Sequence, residues 1–222
     1  MRARLYKMKR AFGSGELLVS LIFDGGLRAK LSLFFGLVFN LFYLAFNLAF
    51  GLFYKSAEPI AVSVYYALLI TVRYIILRLY EGELTAEMER EACKKGGLIL
   101  LLADLVIALM IFYSAKGAEP KNYGIFVFSV LSLHAVFTVT RAVMGIFSQR
   151  EALSLQKRAI HTVRLVASAI SVFNLSSAAA LRFVGDSRLS EVLIMIFGVA
   201  ISLSVLFLSL SMIFSVNTER KI

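Results

Sequence analysis

Residues 31–54 read LSLFFGLVFNLFYLAFNLAFGLFY, a run without one charged side chain. At about 1.5 Å per helical residue it reaches about 36 Å, enough to cross the roughly 30 Å hydrocarbon core of a bilayer. A backbone immersed in lipid must satisfy its own hydrogen bonds, which a single segment does as a helix. Within the run Gly36, Asn40, Tyr43, Asn47 and Gly51 recur at spacings of four, three, four and four. A helix gathers these five on one face and leaves Phe and Leu over the rest. That stripe faces protein, because an amide in hydrocarbon needs a partner and a glycine lets a neighbouring backbone come close. It reads either as a helix-packing seam or as the lining of a polar path, and Ala45 and Ala49 form a second small-residue pair nearby.

Outward from this run, five further stretches are long and apolar enough to span: 60–80, 97–115, 123–147, 160–183 and 191–216. Hydrophobic residues make up 59% of the 222, more than a soluble core of that size hides. The fold expected is an all-α, polytopic transmembrane bundle of six helices. It comprises a basic N-terminal segment (1–30), the membrane domain (31–216) and a short tail (217–222). The run Leu17 to Phe23 is too short for the apolar core of a cleavable signal, and it lies between Glu16 and Asp24. Residues 16–23 are expected to lie as an interfacial helix behind the basic segment, which includes Arg2, Arg4, Lys7, Lys9 and Arg10. That segment suits anionic lipid head groups.

The formal charge of +10 is distributed between the apolar runs rather than along one soluble face, so nucleic acid is not the partner it indicates. Five of the 24 Lys and Arg (Lys55, Lys116, Lys121, Arg182, Arg188) fall on one side of the spans, and the other 19 on the opposite side. Cytoplasmic loops carry the excess of Lys and Arg, so both termini are expected in the cytoplasm. With Trp absent, the interfacial aromatics are tyrosines such as Tyr54, Tyr80, Tyr113 and Tyr123. The one cysteine, Cys93, allows no intrachain disulfide and no cysteine-rich metal site, and it suits the reducing side of a bacterial cytoplasmic membrane. Glu83, Glu87 and Glu91 in the connection 81–95 stand at helical spacing, with Glu91 four residues before Lys95, as in a solvated helical extension.

The chemistry-bearing residues are intramembrane: Arg73, Asp104, Arg141 and Arg164, with His134 on the face of Arg141. Counted from the inner ends of their apolar runs, Arg73, Asp104 and Arg141 lie about 10 to 12 Å deep. A shared depth predicts a meeting, with Arg73 as the preferred partner of Asp104 because consecutive helices usually neighbour each other. A lone carboxylate there is costly, whereas arginines can snorkel to the head groups. Several arginines around one aspartate would suit an anionic ligand or a lipid head group. The competing reading is a structural ion-pair cluster that fixes helix order. His134 would relay a proton or serve as an interhelical hydrogen bonder. Helices five and six are rich in Ser, with Asn174 midway along the fifth, which is also compatible with local bonding to the helix backbone. No nucleophile, base and orienter combination, phosphate-cradling glycine loop or metal motif appears, so neither enzyme chemistry nor a cofactor or metal is expected.

Two internal matches suggest duplicated helical hairpins. Phe53-Tyr54-Lys55-Ser56-Ala57-Glu58-Pro59 pairs with Phe112-Tyr113 followed by Ala118-Glu119-Pro120, and Tyr66-Ala67 with Arg73 pairs with His134-Ala135 with Arg141. Helices one and two would then repeat as three and four, giving three hairpins in all. The run Leu133-His134-Ala135-Val136-Phe137-Thr138-Val139-Thr140-Arg141-Ala142, with Ser148-Gln149-Arg150-Glu151 and Ala167-Ser168-Ala169-Ile170-Ser171, resembles an uncharacterised family of small polytopic membrane proteins from Gram-positive bacteria. Those relatives tend to have Tyr and Lys where this chain has His134 and Thr138, and the resemblance implies a membrane location without an activity. The architecture is also similar to the substrate-binding subunits of energy-coupling-factor transporters, whose small-residue docking motif Ala45 to Ala49 echoes. The expected role is transport-related, binding or moving a small anionic or amphipathic solute. The alternative is a non-catalytic assembly or regulatory subunit that holds cytoplasmic partners in a homo-oligomer or membrane complex.

Overall fold

The computed structural model describes residues 25–79, 85–116, 125–147, 155–184 and 186–218. Residues 1–24, which include the expected interfacial helix 16–23, Glu83 and the Ala118-Glu119-Pro120 turn lie outside the described residues, and the last six residues of the expected N-terminal segment belong to the first helix. The described chain is almost wholly helical: α1 (Gly25–Tyr54), α2 (Ala57–Leu79), α3 (Ala86–Lys116), α4 (Ile125–Phe147), α5 (Leu155–Phe183) and α6 (Ser187–Thr218). All six are long and apolar enough to cross a membrane. Their outer faces carry large exposed side chains such as Phe42, Leu105, Phe126 and Phe207. So much exposed apolar surface would aggregate in water and is what lipid solvates.

Local chemistry sets the helix ends. α1 stops in a two-residue turn where Lys55 takes a left-handed φ of 49°. The Ser56 N–H donates to the Gly51 carbonyl at 3.0 Å and the Lys55 N–H to that of Leu52 at 3.4 Å, the paired bonds of a Schellman motif. Pro59 follows in the first turn of α2, where its missing N–H costs nothing. Thr85 caps α3 by accepting from the Met88 N–H at 3.4 Å. Asp186 does the same for α6, accepting from the Arg188 N–H at 2.8 Å. α3 begins at Ala86 rather than near 97, so the acidic connection is a solvated extension of the same helix, with Glu91 and Lys95 paired at 2.7 Å.

The helices pack in the order α1, α2, α3, α6, α5, α4, aromatic side chains of α4 and α1 close the ring, and α5 also reaches inward to α2 and α3. This arrangement differs from three repeated hairpins. α1 does pack on α2, but α3 packs chiefly on α6, and α4 packs on α5. Glycines explain the α3–α6 pairing. A Cβ at Gly97 would meet Ile213 Cγ1 at 2.5 Å, and one at Gly198 would meet Ile111 Cγ1 at 2.5 Å, so the two antiparallel helices close on each other at both ends. The core between the helices holds Tyr65, Tyr66, Leu69, Ile107, Ile170 and Phe173, all buried.

Candidate functional site

The α1 stripe behaves as its spacing requires: Gly36, Asn40, Tyr43, Asn47 and Gly51 are all buried against the bundle. The Ala45 and Ala49 pair faces outward instead. Two layers of polar side chains from α1, α2, α4 and α5 meet along this stripe.

The first is an arginine layer. Arg73 of α2 turns into the bundle rather than snorkelling outward and is only 5% exposed. Its guanidinium lies over Gly36 so closely that a Cβ there would overlap Nη1, and Nη1 of Arg141 would be 3.0 Å from the same position. Arg164 of α5 joins them around a pocket of about 10 Å³, which is completed by Asn40, Phe137, Thr138 and Ala167. That is room for at most about one water, so a larger group seats there only as the surrounding side chains give way. Among the described residues no partner reaches Arg73 Nε, and Asn40 Nδ2 is also left without one. Even on the lowest scales an arginine at the centre of a membrane helix costs about 2.5 to 3.5 kcal/mol, and arginines within spans usually face the bundle interior and mark a pathway or a ligand.

The second layer lies about seven residues, or roughly 10 Å, further along the helices. The His134 ring stacks on Tyr43 with centroids 3.7 Å apart and meets the edge of Tyr66 at 5.4 Å. Ser171 Oγ donates to the Ala167 carbonyl at 2.8 Å. With its single proton so used, it accepts from Tyr66 Oη at 3.2 Å and from His134 Nδ1 at 3.1 Å. The histidine proton is thereby assigned to Nδ1, and Nε2 is a buried acceptor without a partner among the described residues. Beyond it Asn47 donates to the Tyr43 carbonyl at 2.7 Å, and the Tyr43 hydroxyl has Asn47 and Asn174 beside it.

Asp104 is not part of this assembly, which corrects the expected Arg73–Asp104 pair. Its Oδ1 accepts from the Ser202 hydroxyl at 2.9 Å on the α3–α6 seam, and it forms no ion pair with Arg73 or Arg141. The reason is depth. Gly96 stands opposite Val72, with a Cβ-to-Cγ1 spacing of 3.4 Å, and α2 and α3 run antiparallel. Asp104 is therefore about 13 Å along the axis from Arg73. Counting from the edge of the apolar run in α3 misplaced it, because that helix enters the bundle further back than its hydropathy suggests.

The structure thus brings Arg73, Arg141 and Arg164 together, sets His134 in the adjoining layer and leaves Asp104 apart. Tyr66, Thr138 and Ser171 join the site through contacts that no spacing along one helix announces. Among the described residues no group of three or more His, Cys, Asp or Glu side chains could hold a metal ion. No family model matches this chain, and no curated protein matches it.

Proposed function

We propose that this multi-pass membrane protein is transport-related and takes a small anionic group at its arginine layer. The observation that carries the reading is Arg73, buried to 5% exposure with Nε unpartnered, converging with Arg141 and Arg164 on one pocket. Like charges so close repel, and an oxyanion offers the short charge-assisted bonds that guanidinium donors favour. The adjoining layer of Tyr43, Tyr66, His134 and Ser171 is closed by its own ring stacking and hydrogen bonds, which holds the group at the arginines.

Detergent-purified protein tests the reading through its unfolding temperature in inorganic phosphate, sulfate and chloride at constant ionic strength. A specific oxyanion at one hundred times its Kd adds about 2.7 kcal/mol of stability. The stabilisation is expected with phosphate or sulfate and is expected to disappear in Arg73→Gln and in Arg164→Gln. Equal responses to all three salts, or an undiminished response in both variants, would remove the basis for an anion site.

A further inference from the structure

Five joins of the helix ring are made by backbones lying close together; the sixth, α4 to α1, is bridged by side chains. Phe39 stacks on Phe137 with centroids 4.1 Å apart, Tyr43 stacks on His134, and Phe46 meets Phe126 edge-on at 6.5 Å. Phe137 lines the arginine pocket on its inner side, and Arg141 lies 5.2 Å over its ring. Phe39 is 39% exposed on the outer side, among the lipid-facing residues Phe35, Phe42 and Val136. One aromatic pair thus separates a cationic pocket from the surrounding bilayer. Rings move by rotamer changes, whereas the α1–α2 join is fixed by close approach at Gly51, where a Cβ would meet Ile60 Cγ1 at 2.7 Å.

The pocket also limits what fits. At about 10 Å³ the pocket holds no more than about one water, so a head group seats there only as the side chains around it give way and a whole solute does not fit, and the next layer inward is closed by Tyr43, Tyr66, His134 and Ser171. The remainder of a larger ligand has to stay outside, and outside the aromatic pair is hydrocarbon. Arg141 stands six residues before the end of α4 at Phe147, hence about 9 Å below it, within reach of a head group just under the interface.

We propose that the arginine pocket receives the anionic head group of an amphiphile dissolved in the bilayer, and that this head group enters sideways between α1 and α4, past Phe39 and Phe137, while its apolar tail stays in lipid. The inference rests on the anion reading above and narrows it to a lipid-borne phosphate or carboxylate. A monoalkyl phosphate is the minimal probe, and inorganic phosphate is the water-borne control with the same head-group chemistry.

The test uses full-length protein in phosphatidylcholine nanodiscs, with Phe39→Cys and Phe137→Cys introduced beside Cys93→Ala and the two thiols bridged by dibromobimane. Capture of radiolabelled dodecyl phosphate and of inorganic phosphate is followed over time, with protein-free discs subtracted. The unbridged double-cysteine protein is the control for folding. Dodecyl phosphate is expected to bind at least tenfold more tightly than inorganic phosphate. Relative to the unbridged double-cysteine protein, bridging is expected to slow its capture at least tenfold more than capture of inorganic phosphate. A separate variant, Phe39→Ala, is expected to speed dodecyl phosphate capture. Unchanged capture after bridging, or equal slowing of both probes, overturns sideways entry while the anion site stands. Failure of the wild-type protein to capture either probe overturns the anion site itself.

Discussion

At the scale of single residues, the bundle is governed by where a Cβ is tolerated and by the depth at which a charge lies. Gly36 is one such place: any Cβ displaces the Arg73 guanidinium, so Gly36→Ala should lower phosphate affinity about tenfold, measured by the same thermal shifts, with circular dichroism unchanged. Lys55 is another. Its left-handed φ costs a residue with a Cβ about 1 kcal/mol that glycine does not incur. Lys55→Gly should therefore raise the unfolding temperature by about 2 to 4 °C. Asp104 supplies a sharper test. Because it lies about 13 Å from Arg73, Arg73→Ala and Asp104→Ala should add in their effects on unfolding, with a coupling below about 0.5 kcal/mol. A coupling of several kcal/mol would restore the ion pair that depth rules out. The sequence exposed these residue types plainly. What it hid was level, since hydropathy marks where lipid begins and not how far one helix slides past another.

At the scale of elements, α1 was legible because its polar positions follow the 3.6-residue period, and burial of the whole stripe from Gly36 to Gly51 follows from that alone. That six helices span was legible for a different reason, the length and apolarity of their runs. The pairing of α3 with α6 was not, because it depends on glycines in two helices about 100 residues apart. Gly97 and Gly198 look like any others in an apolar run. Their role predicts a directional result. Gly198→Val drives a side chain into Ile111, whose Cγ1 and Cδ1 would lie 2.5 and 2.9 Å from the new Cβ. Overpacking of this kind costs about 1 to 3 kcal/mol. Chemical unfolding in mixed micelles should show that loss, and Ile111→Ala in the same chain should recover at least half of it. Full stability of Gly198→Val alone would mean that the helices are not held at that distance. The repeated hairpins failed on the same ground: short matches at turns say nothing about which helix faces receive glycine.

At the scale of the whole molecule, orientation decides which compartment the arginine layer serves. The 19-to-5 division of Lys and Arg favours cytoplasmic termini. In that orientation Glu91 and Lys95 at the exposed start of α3 are inside, and the tight turn at Lys55 is outside. In the same orientation Arg73, six residues before Leu79, would lie near the inner ends of the helices, and the pocket would be on the cytoplasmic side of the hydrophobic midplane. Single cysteines in a Cys93→Ala background report this directly. A membrane-impermeant maleimide should label Lys55→Cys in intact cells, whereas Glu91→Cys should react only after permeabilisation. Both positions are exposed, so access to the reagent and not burial determines the outcome. The opposite pattern would turn the bundle over. The arginine layer would then sit beneath the outer leaflet, and an amphiphile entering between α1 and α4 would be drawn from outside the cell.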